Sequence, residues 1–214
     1  MLGFKRRYEK GDTIIEVLFA VSVFSLVAVG GLSIMNQGTT TSQRALEITL
    51  VRQEIDAQAE TLRFLHDSYV AAYQSGGSYA ADTPAGQWKV MLDSIISTGT
   101  VNASAFGAAD TCPNPPSGSF IFNARTATFT APGESKLEPA QVFSKVEYDV
   151  VNGQSILKTA DGIWIEAVRS RTTTDVNQAN AGFIDFHIRA CWGTAGLSVP
   201  ETIGTIVRLY EPRG

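Results

Sequence analysis

Histidine and cysteine are scarce in this chain, with two of each among 214 residues. That leaves little material for a zinc site, which takes four ligands drawn mostly from those two residue types. Charge is sparse as well, at 18% Asp, Glu, Lys and Arg, below the usual quarter. With 44% apolar residues, this is not the composition of a disordered chain. Basic residues are not in excess: the formal net charge is -4. A nucleic-acid partner is therefore not expected, because phosphate contacts need clustered Lys and Arg. Catalytic spacings are missing too. The chain has no Gly-x-Ser-x-Gly elbow, Walker loop, Cys-x-x-Cys pair or His-Glu-x-x-His helix, and its acids do not fall at calcium-loop spacing. His66 beside Asp67, His187, and the Asn102-Ala103-Ser104 sequon stand alone. No catalytic residue, metal ligand or cofactor site is assigned, and an enzyme is not expected.

What the chain does have is concentrated at its N-terminus. Lys5, Arg6, Arg7 and Lys10 against Glu9 give the first eleven residues a net +3, which leaves -7 on the remainder of a chain totalling -4. An apolar block follows directly from Ile14 to Met35, interrupted by Glu16, Ser22, Ser25, Ser33 and the Gly30-Gly31 pair. As a helix the block spans about 33 Å at ~1.5 Å per residue, close to the ~30 Å hydrocarbon core of a bilayer. Its basic flank keeps Met1 to Lys10 in the cytoplasm and sends the rest outward. Glu16 is the anomaly, since an acid at the bilayer centre costs about 2.5–3.5 kcal/mol and less near an end. One reading puts it at the interface. An ordinary secretory signal is a second reading, with Ala28-Val29-Gly30 offering small residues for a cut after Gly30.

The segment Gly11-Asp12-Thr13-Ile14-Ile15-Glu16-Val17, after a basic leader and before an apolar helix, resembles the type IV prepilin signature. The resemblance is close over Lys5 to Gln37 and extends by pattern along the helix beyond. It implies cleavage after Gly11 by a membrane prepilin peptidase, which leaves the apolar helix on the mature chain with Glu16 as its fifth residue. Asp12 stands where the family usually has Phe or Met, so the resemblance carries less for N-methylation of that residue. A cut at Gly11 gives Asp12 a free ammonium in a lipid-like setting. The Glu16 carboxylate of an adjacent subunit is its natural counter-ion, so two costly charges compensate each other across subunits.

Past the apolar block, Asn36-Gln37-Gly38 and three Thr are poor helix material, readable as a hinge or as a stretch able to unwind. From Ser42 to Gln74 the helical period is clear. Ile48, Val51, Ile55, Ala59, Leu62, Leu65, Tyr69 and Ala72 form one apolar stripe for the protein's own core. Leu46, Leu50, Ala57 and Phe64 project nearly opposite and suggest a second partner, the same helix of other subunits.

After Ser75-Gly76-Gly77-Ser78, a short helix is expected from Pro84 to Ile96, then a loop region from Ser97 to Ser119. Strands are expected from Phe120 onward. Asn152-Gly153 signals a tight hairpin, Asp161-Gly162 leads to a third strand of a meander, Ile184 to Ala190 alternates with period two, and a last strand spans Ile203 to Tyr210. Cys112 and Cys191 lie on the exported side and are read as a disulfide, with two buried thiols as the alternative. Such a bridge resembles the C-terminal staple of many pilins.

The fold expected is α+β and pilin-like: a long N-terminal helix, its first half membrane-spanning, packed against an antiparallel sheet. Its parts are a leader (1–11), an assembly half of the helix (12–37), an amphipathic half (38–74) and a β-rich remainder (75–214). The resemblance implies a pilus subunit whose partners are its own copies and other pilins, the prepilin peptidase, an inner-membrane assembly platform, and membrane lipid before assembly. It would be a single-pass precursor in the cytoplasmic membrane, then part of a surface filament serving adhesion, twitching motility or DNA uptake. A minor pilin or secretion pseudopilin shares the same N-terminus. A signal-anchored or secreted β-rich binding protein that never polymerises is the alternative of another class.

Overall fold

A computed structural model describes residues 12–98, 112, 114–132, 136–169, 182–194 and 199–212. Gly11, the basic leader, the Asn102 sequon and most of the expected loop lie outside the described residues, as do the side chains of Asp12 and Ile96. Among the described residues two helices and eight strands follow in order: α1 (Asp12–Ser75), α2 (Pro84–Thr98), β1 (Ile121–Asn123), β2 (Thr128–Thr130), β3 (Leu137–Glu138), β4 (Lys145–Val151), β5 (Gln154–Asp161), β6 (Ile163–Arg169), β7 (Phe183–Trp192) and β8 (Glu201–Tyr210). The class is α+β with a long apolar N-terminal helix. The residues form two compact units, one ending at Ala45 and one beginning at Leu46.

The helix does not break at Asn36-Gln37-Gly38, so the expected hinge is not a break in secondary structure. The three threonines that weaken the local propensity bond back to the helix itself. Thr39 and Thr40 hydroxyls donate to the Asn36 carbonyl and Thr41 to that of Gln37, each at 2.9 Å. Polar side chains that would compete with the helix instead close onto its carbonyls.

In the second unit the predicted stripe is the core face of α1. Val51, Ile55, Ala59, Leu62 and Leu65 are buried, with Ile48 and Tyr69 packed at the margin. α2 begins with Pro84 at its first helical position, and the Thr83 hydroxyl accepts the Gly86 N–H at 3.1 Å, capping one of the orphan donors. Trp88, Met91 and Ile95 of α2 enter the same core.

The strands form three small sheets, ordered β1-β2, β3-β5-β4 and β6-β7-β8. The Asn152-Gly153 hairpin is as expected: both residues have positive φ, 52° and 77°, the geometry of a two-residue turn that matches strand twist. The three-strand meander is not formed. β5 pairs with β4 and, in parallel, with β3, while β6 joins β7 in another sheet. The chain changes sheets at Gly162, where the backbone turns left-handed (φ 62°). The turn is held from several sides. Gly162 N–H donates to Glu138 O at 2.6 Å, and its carbonyl accepts from Cys191 N–H at 2.8 Å. The buried Ser144 hydroxyl also donates to that carbonyl at 2.9 Å. β7 alternates as expected over Ile184 to Ile188 and then becomes buried on both faces. β8 lies at the sheet edge and buries only Val207.

Candidate assembly surfaces

Every described side chain from Ile14 to Leu46 is exposed. The large apolar ones between Ile14 and Met35 range from 43% exposure at Val23 to 74% at Leu26. Soluble monomers rarely present apolar patches beyond a few hundred Å², so this surface calls for lipid or protein around it. The segment is the one stretch among the described residues long and apolar enough to cross a membrane. Two of its interior hydroxyls suit an apolar setting, because they are satisfied within the helix. Ser22 donates to Leu18 O and Ser25 to Val21 O, both at 2.7 Å, which spares a hydrocarbon environment two unpaired donors. Glu16 is also exposed, and it has no ion pair among the described residues. Asp12 is the first residue of α1; Gly11, the other half of the expected cut, lies outside the described residues.

The second helix face is narrower than the pattern suggested. Leu46 (59%) and Phe64 (52%) are exposed, but Leu50 and Ala57 are half-buried. Leu50 lies about 40° round the helix from Leu46, toward the buried Val51, at about 100° per residue. Ala57 is short and sits with Phe64 beside the β1–β2 turn, lining an open hollow shared with Ala124 to Ala127. The apolar pair left outward is therefore Leu46 and Phe64.

Cys112 and Cys191 form a disulfide with Cα atoms 5.6 Å apart. It ties residue 112 to β7 next to the Gly162 corner.

Three polar arrangements escaped the sequence reading. Gln58, fully buried, sits in the apolar stripe three residues after Ile55 and four before Leu62. Its amide makes a two-way pair with the backbone of β1: Nε2 donates to Phe122 O and Oε1 accepts from Phe122 N–H, both at 3.0 Å. Gln87 of α2 does similar work on β2, accepting from Phe129 N–H at 2.8 Å. The one signal in the sequence was the place of Gln58 beside the apolar stripe, and only the fold supplies the strand edge it serves.

The third arrangement is a buried charged group on the sheet. Glu166 is 1% exposed and accepts from the Trp164 indole N–H at 2.7 Å. Arg189 lies 3.9 Å from Glu166 and donates to His187 Nδ1 at 3.3 Å. Burial first, and then the neighbouring Arg189 charge, push His187 below its ordinary value, partly offset by Glu166 and Asp185. The adjacent Asp185 carboxylate makes a two-bond pair with Arg208, at 2.7 Å for each bond. The other histidine, His66, is anchored: its Nε2–H donates to Tyr210 O at 2.9 Å, and Nδ1 lies 3.4 Å from Asp67. Among the described residues no three His, Cys, Asp or Glu side chains cluster as metal ligands would.

Compared with protein-family models, with curated proteins and with solved structures, the chain matches none. A long apolar N-terminal helix, a β-rich unit and a disulfide are what the fold itself contributes, an arrangement compatible with a pilin-like architecture.

Proposed function

We propose that this chain is the structural subunit of a type IV pilus, made as a membrane-anchored prepilin, cleaved after Gly11 and polymerised through its N-terminal helix. The single observation carrying the reading is the wholly exposed apolar face from Ile14 to Met35 with one acid, Glu16, near its start. Such a surface is stable in lipid and equally in a bundle of its own kind, so one helix serves as anchor first and filament core afterwards. The prepilin signature around Gly11 supports the same reading. In it, the prepilin peptidase exposes the Asp12 ammonium, an inner-membrane platform moves the subunit out of the bilayer, and Glu16 pairs with the Asp12 ammonium of the subunit next to it. Breaking such a pair leaves a charge buried without compensation, at a cost of about 3–5 kcal/mol. The filament would support adhesion, twitching motility or DNA uptake.

Mass spectrometry of the mature chain tests the processing step. A species starting at Asp12 is expected, and one starting at Met1 or Gly31 overturns it. Glu16→Ala tests the assembly step: membrane insertion should persist while sheared fibres disappear or drop steeply. A normal fibre yield from that variant would refute the registry role of Glu16.

A further inference from the structure

A cavity of about 240 Å³ opens among the last turns of α1, α2 and the ends of β6, β7 and β8. We propose that it is a binding site for a neutral saccharide, with room for one sugar ring. Sugar binding there is independent of polymerisation.

One wall is aromatic. Tyr69 lies with its ring centroid 6.4 Å from Tyr73 and 6.5 Å from Trp88, tilted 39° and 36° to them. Trp88, 3% exposed, forms the floor, Tyr69 also has the Tyr79 ring 5.2 Å away, and Tyr73, 38% exposed, is the most open of the three rings. Aromatic faces are electron-rich and attract the weakly positive C–H bonds that line one side of a pyranose. The other wall is polar, because Arg169 and Glu211 form an ion pair there, 22% and 31% exposed. Guanidinium N–H donors and a carboxylate acceptor side by side suit neighbouring sugar hydroxyls, each of which both donates and accepts.

Charge and size narrow the ligand further. The ion pair neutralises itself, so a phosphate would have to displace Glu211 and an ammonium group Arg169. The volume is below the roughly 300–1,000 Å³ of sites that enclose drug-sized ligands, too small for a nucleotide or a stretch of peptide. The site binds without cleaving. Glycoside hydrolysis uses two flanking carboxylates in most families, whereas Glu211 is the one acid among the described lining residues. His66, also in the wall, already has its Nε2–H committed to the Tyr210 carbonyl at 2.9 Å.

The test uses the full chain in a detergent without a sugar headgroup, observed through its indole N–H resonances. The three tryptophans serve as probe and controls: Trp88 lines the cavity, while Trp164 and Trp192 bond to Glu166 and Glu47 elsewhere. Methyl glycosides of glucose, galactose, mannose and N-acetylglucosamine are titrated separately, beside inorganic phosphate, tetramethylammonium and benzene. At least one glycoside should shift the Trp88 signal saturably and leave the other two indoles in place. Tyr73→Ala, at a rim residue 38% exposed, should weaken that binding at least tenfold with the thermal midpoint unchanged. Absence of a saturable Trp88 shift with all four glycosides overturns the proposal. So does tighter binding of phosphate, tetramethylammonium or benzene, or an affinity that Tyr73→Ala leaves intact.

Discussion

At Gly162 the backbone conformation and the space around it both demand glycine. A Cβ there would sit 2.5 Å from Cys191 O and 2.6 Å from the Ala140 side chain, on a residue whose φ is already 62°. Gly162→Ala should therefore cost about 2 kcal/mol or more, read as a lower urea midpoint. His187 gives a pH signature. Its folded-state value lies below the ordinary one of 6.5 because of burial and Arg189, so on acidification the unfolded chain binds this proton first. The stability it contributes is complete above pH ~6.5 and is lost as pH falls toward the folded-state value. Denaturation at pH 7 and pH 5 should show a smaller fall for His187→Gln than for the parent chain. A His187 ring titration at or above the ordinary value would contradict this.

Among the elements, α1 carries a periodic pattern that gives its core face and still hides one buried polar group. The stripe from Val51 to Leu65 was legible because an amphipathic helix repeats every 3.6 residues whatever it packs against. Gln58 sits in that stripe as the surrogate for a missing strand partner. Gln58→Leu keeps the shape but leaves the Phe122 N–H and carbonyl unpaired in the core. The expected loss is about 3 kcal/mol, again from denaturant melts, and a neutral outcome would mean that β1 finds another partner. The short β1, β2 and β3 were not legible in the sequence, whereas the longer strands, β4 to β8, were, one by one, through alternation and the Asn-Gly turn. Their sheet membership was not, because Asp161-Gly162 reads locally like any turn, and only Ser144, Glu138 and Cys191 converging on Gly162 send β6 into another sheet.

For the molecule as a whole, surfaces that carry no folding role are where assembly is expected. Leu46 and Phe64 are more than half exposed, so replacing both by serine should change the melting midpoint little, within the ~0.5 kcal/mol typical of surface sites. If the helix packs on other copies through this face, the same variant should yield markedly fewer sheared fibres. Fibre yield unchanged from the parent would remove Leu46 and Phe64 from the proposed assembly surface. The Cys112–Cys191 bridge closes a separation of 79 residues. It stabilises by about 4.5 kcal/mol in the chain-entropy model, enough to matter to a unit built from small sheets and helices.

The sequence by itself determined the long helix, the apolar run at its start, the acid placed within that run, the core stripe, the second helix and the Asn-Gly hairpin. All of these depend on local spacing, and local spacing is written in the chain. Only the tertiary structure decided which strands share a sheet, that Gln58 completes the edge of β1, that Leu50 and Ala57 turn partly inward, and that Tyr69, Tyr73, Trp88, Arg169 and Glu211 meet around one cavity. Those facts depend on contacts between residues far apart in sequence, and no periodicity encodes them.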